Sequence, residues 1–279
     1  MNTLHEKTAV ITGAASGIGL ALARRAAAQG MHLVLADIDQ EALTAAAATL
    51  GVDAARLLLC RTDVRKQADI EALADAAYAR FGAVDMLFNN AGVALGRVTW
   101  EHSVQDWEWV LGVNLWSVIY GISVFLPRMQ AAGRAAYIVN TASAAGLVSM
   151  PGMAAYNASK HAVVTLSETL HHELRATESP ISVSLLCPAW VATGIGQSER
   201  NRPQDAGQAQ PAGALSTAIV RKIGKAIASG ALSADDMAST TFEAIGEKRF
   251  YVIPHQGMNV SIERRMQDIL AMRNPSAPN

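Results

Sequence analysis

Thr8-Ala9-Val10-Ile11-Thr12-Gly13-Ala14-Ala15-Ser16-Gly17-Ile18-Gly19 is five uncharged, strand-forming residues followed at once by a turn with glycines at 13, 17 and 19. Residues 17–29 then carry Ile18, Ala21, Leu22 and Ala26 on one side at helical spacing. Outward from this strand–turn–helix unit, further apolar runs occur at 32–36, 56–60, 84–88, 136–139, 181–187 and 250–253, each separated from the last by room for a helix. Leu33-Val34-Leu35 and Val183-Ser184-Leu185-Leu186 are nearly apolar throughout instead of alternating, as strands buried on both faces are. Residues 162–174 repeat the helical pattern with Val163, Leu166, Leu170 and Leu174. The fold class expected is α/β, a single doubly wound domain with a seven-stranded, mostly parallel sheet and helices on both faces.

A length of 279 residues admits one large domain or two small ones. The one compositional break, residues 194–214, is rich in Gln, Gly, Pro and charge, yet a seventh strand beyond it must still join the same sheet. It therefore reads as a mobile loop over a site, giving one domain over 1–279 with a substrate lid at 194–230 and a C-terminal helix at 258–273. With 51% apolar residues, 17% charged and a net charge of -1, the chain is too apolar for disorder and lacks the basic surface that nucleic-acid binding needs. Cys60 and Cys187 sit singly in apolar runs, and His171 and His172 are adjacent instead of four apart, so neither a disulfide framework nor a metal site is expected. Residues 113–127 include Asn114 and fall short of a membrane span, which points to a buried helix and no membrane partner. The first residues lack a basic head and apolar signal core, consistent with a cytoplasmic protein.

The glycine turn lets the backbone bend tightly and approach a pyrophosphate, with the free N–H groups of the new helix facing the anion. The candidate phosphate-binding residues are Gly13, Ser16, Gly17, Ile18 and Gly19. Asp37 stands 18 residues beyond Gly19, at the end of the second apolar run. A carboxylate there accepts hydrogen bonds from an adenosine ribose 2′-hydroxyl and repels a 2′-phosphate, favouring NAD over NADP. Asp37 or Asp39 could instead serve only as a helix N-cap; with both present, one can cap while the other binds ribose.

Tyr156 and Lys160 are four apart at the start of an expected helix and share one face. A phenol exchanges protons poorly at neutral pH until a nearby ammonium favours its anion, and Lys160 is spaced to provide this. Together with the glycine turn, with Asn89-Asn90-Ala91-Gly92 after the fourth run and with Ser143 after the fifth, this pair makes the chain resemble the short-chain dehydrogenase/reductase family from about residue 7 to 193.

The resemblance implies a Rossmann fold and a dehydrogenase with NAD as cofactor. It implies that Tyr156 is the general acid/base, that Ser143 hydrogen-bonds and orients the substrate oxygen, and that Lys160 holds the nicotinamide ribose while lowering the tyrosine pKa. Asn114 resembles the residue that anchors a water relaying protons from the lysine. Asp63 and Val64 correspond to the pair contacting adenine, Asn90 to a further cofactor contact, and Val191 and Thr193 to the residues meeting the carboxamide. Ala189 departs from the family's usual Pro-Gly, which is harmless if the backbone there does not need positive φ.

The site should lie off the carboxyl ends of the strands. Leu95, Leu147, Val148, Met150, Met153, Trp190 and Ile195 would then wall a pocket for a small hydrophobic alcohol or ketone. Arg200 and Arg202 could hold an acidic substrate but read rather as charges on a solvated lid. Trp107, Trp109 and Trp116 flank helices that in the resembled family pair across a two-fold axis, so a homodimer or homotetramer is expected, with core packing as the rival. The rival functions are a non-catalytic NAD-binding sensor or scaffold, and an epimerase or lyase using NAD transiently.

Overall fold

The structure, a computed structural model, describes residues 4–207 and 212–277. Expectations for 1–3, 208–211 and 278–279, including part of the segment 194–214, lie outside the described residues. The chain begins with β1 (Thr8–Thr12), α1 (Gly17–Ala28), β2 (His32–Asp37), α2 (Gln40–Ala48), β3 (Leu57–Arg61), α3 (Gln67–Phe81) and β4 (Met86–Asn89). It continues through α4 (Val104–Leu111), α5 (Ser117–Ala131), β5 (Ala136–Thr141), α6 (Ala154–Ala176) and β6 (Ile181–Leu186), then α7 (Ala214–Ala228), α8 (Ala234–Glu247), β7 (Tyr251–Val252) and α9 (Met258–Leu270). All seven strands form one sheet in the order β3-β2-β1-β4-β5-β6-β7, and every pairing is parallel. The chain winds outward from β1 in one direction and from β4 in the other, so the strand ends at the β1/β4 boundary open a crevice.

Because successive strand residues point to opposite faces, each strand feeds two cores. Ala9, Ile11, Leu33, Leu35, Met86 and Phe88 pack with α1, α2 and α8. Val10, Val34, Leu87, Ile138 and Val183 pack on the other side with α3, α5 and α6. Both faces are thereby dry, which is why these runs carry so few polar residues.

Where strand limits depart from the sequence expectation, polar side chains account for it. β4 begins at Met86, two residues later than expected, because Asp85 turns its carboxylate back to the Thr8 N–H and to Lys7 and Arg134. At the other end, Asn89 donates to Asn140 and Asn140 to Ser167, a buried ladder that carries β4 and β5 past their apolar residues. Between α4 and α5 lies a π-turn, Gly112–Trp116, and the three join as one helical run, Val104–Ala131. These 28 residues are, by length and composition, long and apolar enough to cross a membrane, which corrects the shorter reading over 113–127. Here the run flanks the sheet, with Trp109, Val110, Val118, Phe125 and Met129 at most 1% exposed.

The described part of 194–214 is not free either. It forms short 3-10 turns, Gly194–Asn201 and Gln204–Ala206. Arg202 is 5% exposed, pairs at 2.7 Å with the fully buried Asp106 and lies over the Trp109 ring. It is a structural clamp and not a solvated charge.

Candidate active site

Beyond the strand ends lies a cleft of about 310 Å³. Its floor at one end is the β1–α1 turn. Gly13 and Gly17 have φ of +67° and +53°, a region that favours glycine, and a Cβ on Gly13 would come 2.8 Å from Ala91 Cα. A Cβ on Gly19 would collide with the Gly13 carbonyl. The Ser16 side chain forms no hydrogen bond capping α1, and no acidic residue occupies the first turn. Ser16, Gly17, Ile18 and Gly19 instead line the cleft with an open helix N-terminus, a place suited to an anion.

Asp37 ends β2 at the cleft wall and accepts from Ala15 N at 3.0 Å and Asp39 N at 3.1 Å. Burial pushes its carboxyl up and these backbone donors oppose the shift. Asp39 is the helix cap, accepting from Ala42 N, so Asp37 is the acid directed to the cleft. Asp63 and Val64 also line it. The Asp63 carboxylate is gripped by Arg65 at 2.7 and 3.1 Å, and Arg65 reaches on to Asp205 at 2.9 Å.

The middle of the cleft is braced by Asn90. Its amide donates to Thr12 O and its oxygen accepts from Thr141, so one side chain fixes the ends of β1, β4 and β5 together. Asn114 has no exposed surface; it accepts from Val93 N and donates to Val93 O and to Ser159. The π-turn that carries it is a local widening of the helix of a kind often found at functional sites. A Cβ on Gly92 would sit 3.5 Å from Asn114 Oδ1 and 3.6 Å from Lys160 Nζ, so the two polar groups flank the same glycine.

Ser143 caps the 3-10 turn Ala144–Gly146, accepting from Ala145 N and donating to Pro188 O at 3.2 Å. Tyr156 and Lys160, from the first turns of α6, are 8% and 2% exposed. Lys160 donates to Thr141 O at 2.8 Å, and burial pushes its pKa down to about 8. The Tyr156 phenol moves the other way from the sequence expectation: burial raises its pKa, and what opposes the rise is the Ser143 hydroxyl. The reason is geometric. Tyr156 is buried, and Lys160, whose Nζ lies 5.8 Å from the centre of the tyrosine ring, spends its hydrogen bond on β5.

Val191 and Thr193 line the cleft after β6, and Ala189 is not among the residues with positive φ, so its departure from glycine is without strain. Val148, Met150, Met153, Trp190 and Ile195 form the apolar wall. Leu95 and Leu147 do not: Leu95 packs with Trp109 and Ala155, and Leu147 beside Val163 and Val164, because each faces a helix behind the cleft. The expected lid over 194–230 included but did not single out Val220, Ile223, Gly224 and Ile227, which bring one face of α7 over the opening. Their spacing of i, i+3, i+4 and i+7 was the available signal. Arg200 also lines the cleft but is held by the Gly194 and Gln197 carbonyls. Trp109 is core, whereas Trp116 is 47% exposed beside Tyr120. Cys60 and Cys187 are free thiols. Among the described residues, no group of three or more His, Cys, Asp or Glu is placed to hold a metal ion.

A parallel doubly wound sheet with an open helix N-terminus, a carboxylate at the cleft wall and a buried Tyr–Ser–Lys group defines a nucleotide-binding protein of the Rossmann class, and the residues present fit a dinucleotide. Residues 7–204 match the family described as short chain dehydrogenase, and the chain belongs to that family of oxidoreductases. It is 35% identical over 272 residues to a CLA biosynthesis dehydrogenase/reductase of Lactiplantibacillus plantarum, covering 97% of this chain and 95% of that one. It is 35% identical over 268 residues to a 1-deoxy-11-beta-hydroxypentalenate dehydrogenase of Streptomyces exfoliatus, covering 95% and 89%. Its structure is similar to the crystal structure of a short chain dehydrogenase/reductase from Burkholderia phymatum in complex with NAD, at TM-score 0.97 and 48% identity, covering 100% of this chain and 99% of the other.

Proposed function

We propose that the protein is an NAD-dependent oxidoreductase interconverting a hydrophobic secondary alcohol and its ketone, with Tyr156 as the group that exchanges the proton. The observation that carries this reading is the Tyr156 phenol in the cleft wall with the Ser143 hydroxyl beside it, between an apolar pocket and the glycine turn. The dinucleotide would be held by Gly13 and residues 16–19 at its pyrophosphate, by Asp37 at the adenosine ribose and by Asp63 and Val64 at the adenine. Asn90, Tyr156, Lys160, Val191 and Thr193 would hold the nicotinamide end. When bound, the nicotinamide supplies the acceptor or donor of hydride.

The chain's own residues supply the rest. Burial keeps the Tyr156 phenol neutral at pH 7, which suits it to protonate the oxygen of a ketone being reduced. For alcohol oxidation the phenolate must take the hydroxyl proton, so that direction is favoured at alkaline pH. Ser143 exchanges its bond to Pro188 O for one to the substrate oxygen and orients it. Lys160 orders the ribose, and Asn114 fixes the helix turn beside it for proton relay. Val148, Met150, Met153, Trp190 and Ile195, with α7 above them, exclude water and accept an apolar body. A hydroxylated substrate, as the name of the Streptomyces relative states, is of this kind. The same reading takes 1–279 as one catalytic domain with residues 194–230 as the substrate lid and 258–273 as a C-terminal helix, in a cytoplasmic homodimer or homotetramer.

The test is NADH formation on a panel of hydrophobic secondary alcohols, with NADP run beside NAD, for the parent and Tyr156→Phe. The parent turns over with NAD, and the variant loses about 10²–10⁴-fold in rate while it still binds NADH. A parent that binds NAD but turns over nothing in the panel overturns the reading in favour of a sensor. Product without net NADH overturns it in favour of an epimerase or lyase.

A further inference from the structure

The loop after β6 carries Val191 and Thr193 to the cleft, and something must hold it at the right height. Its first residue is secured from one side: Pro188 O accepts from Ala144 N at 2.8 Å and from Ser143 Oγ at 3.2 Å. On the other side, the β6–β7 ladder ends with Cys187 N donating to Val252 O at 2.8 Å. Continued as a parallel ladder, residue 254 would donate to Cys187 O and accept from Ala189 N. Residue 254 is proline, which has no N–H, so the rung to Cys187 O is lost and the regular ladder stops there, and the Ala189 N–H is taken up by a side chain.

The next side chain takes over. Ala189 N donates to His255 Nδ1 at 3.2 Å, and His255 Nε2 lies 3.2 Å from Trp190 O. A carbonyl oxygen only accepts, and an N–H needs a lone pair, so one tautomer alone makes both bonds: neutral imidazole with its proton on Nε2. Burial favours that neutral form, lowering the His255 pKa from its usual value. The imidazole therefore acts as a surrogate rung, tying consecutive residues of the cleft loop to the stretch that follows β7.

We infer that His255 is a positioning residue for cofactor binding: it sets the loop of Val191 and Thr193 through the Ala189 and Trp190 backbone without itself lining the cleft. This rests on the NAD reading above. It adds that the nicotinamide end of the site depends on a side chain near the C-terminus, outside the residues 7–204 that match the family.

The experiment compares the full-length parent with His255→Asn and His255→Leu. Asn can place an oxygen near the position of Nδ1 and keep the Ala189 bond, whereas Leu keeps bulk and loses both bonds. NADH affinity is read by fluorescence titration, and KM for NAD is set against KM for the alcohol. The expected result is an NADH affinity about tenfold weaker for Leu, the scale of one lost net hydrogen bond. KM for NAD rises in parallel and by more than KM for the alcohol, and Asn recovers most of the loss. Far-ultraviolet circular dichroism and melting temperature identify a Leu variant that fails to fold, in which case the Asn variant and a His255→Gln variant, which keeps only the Trp190 bond, carry the comparison. A Leu variant that binds NADH like the parent, or folded variants weakened equally whichever bond they retain, overturns the role of His255 alone. A parent that binds neither NAD nor NADH overturns this inference together with the functional reading.

Discussion

Burying an ammonium in a protein interior is costly, and Lys160 does so with one hydrogen bond to the β5 backbone and, among the described residues, no carboxylate in an ion pair with it. Its pKa of about 8 in the fold is below the ordinary 10.5, so the folded chain disfavours the charged form. The penalty, roughly 3 kcal/mol by the usual conversion of pKa shift to free energy, is fully present below pH 8 and fades as pH rises toward 10.5. Lys160→Met should therefore melt higher than the parent at pH 7, with the gap narrowing toward pH 10, while turnover is lost. Thermal melts of both proteins across that range check it, and a constant gap or a less stable Met variant refutes it. At this scale the sequence was informative where partners are close along the chain: the Tyr156–Lys160 spacing, and Asp39 capping while Asp37 faces the cleft. The direction of the Tyr156 shift, the Arg65 grip on Asp63 and the His255 bridge were not legible, because each depends on where a distant segment or a buried oxygen lies.

Among the elements, α7 shows how a helix face becomes a wall. Val220, Ile223 and Ile227 face the cleft and Arg221, Lys222 and Lys225 are exposed. Gly224 has no steric reason to be glycine: it is helical, and an added Cβ would meet nothing within 4 Å. A helix-interior glycine costs about 1 kcal/mol against alanine, so the missing side chain is best explained by the room it leaves at the cleft. Gly224→Ala should raise the melting temperature. Gly224→Leu should raise KM for bulky secondary alcohols by about tenfold and leave that for small ones unchanged, with NADH affinity as in the parent. Equal KM effects on small and bulky alcohols would show that the space is not used. Sequence patterning found the regular elements and placed α7 within the lid, but did not single out its wall residues, since an amphipathic face reads the same whether it covers a core or a cleft. It also stopped β5 at Val139, because Asn140 and Thr141 look like a strand end until the Asn89–Asn140–Ser167 ladder is seen.

For the molecule as a whole, the order of apolar runs was enough to anticipate a doubly wound parallel sheet, because strands buried on both faces leave a compositional trace that strands with a wet face do not. What patterning could not supply is how far the run Val104–Ala131 extends, since the π-turn joins two helices that look separable in the sequence. That run has a consequence for synthesis. Phe125 and Met129 share their core with Ile138, Leu170, Leu174 and Val183, all of which follow them in the chain. While the ribosome is still making those partners, a run long and apolar enough by composition to cross a membrane stands with only the earlier strands and α3 to cover it. A nascent chain stalled before Ala136 should bind liposomes or a chaperone, and completion of β5, α6 and β6 should release it; co-sedimentation of a release-factor-free stalled chain with vesicles, against the finished protein, measures the difference.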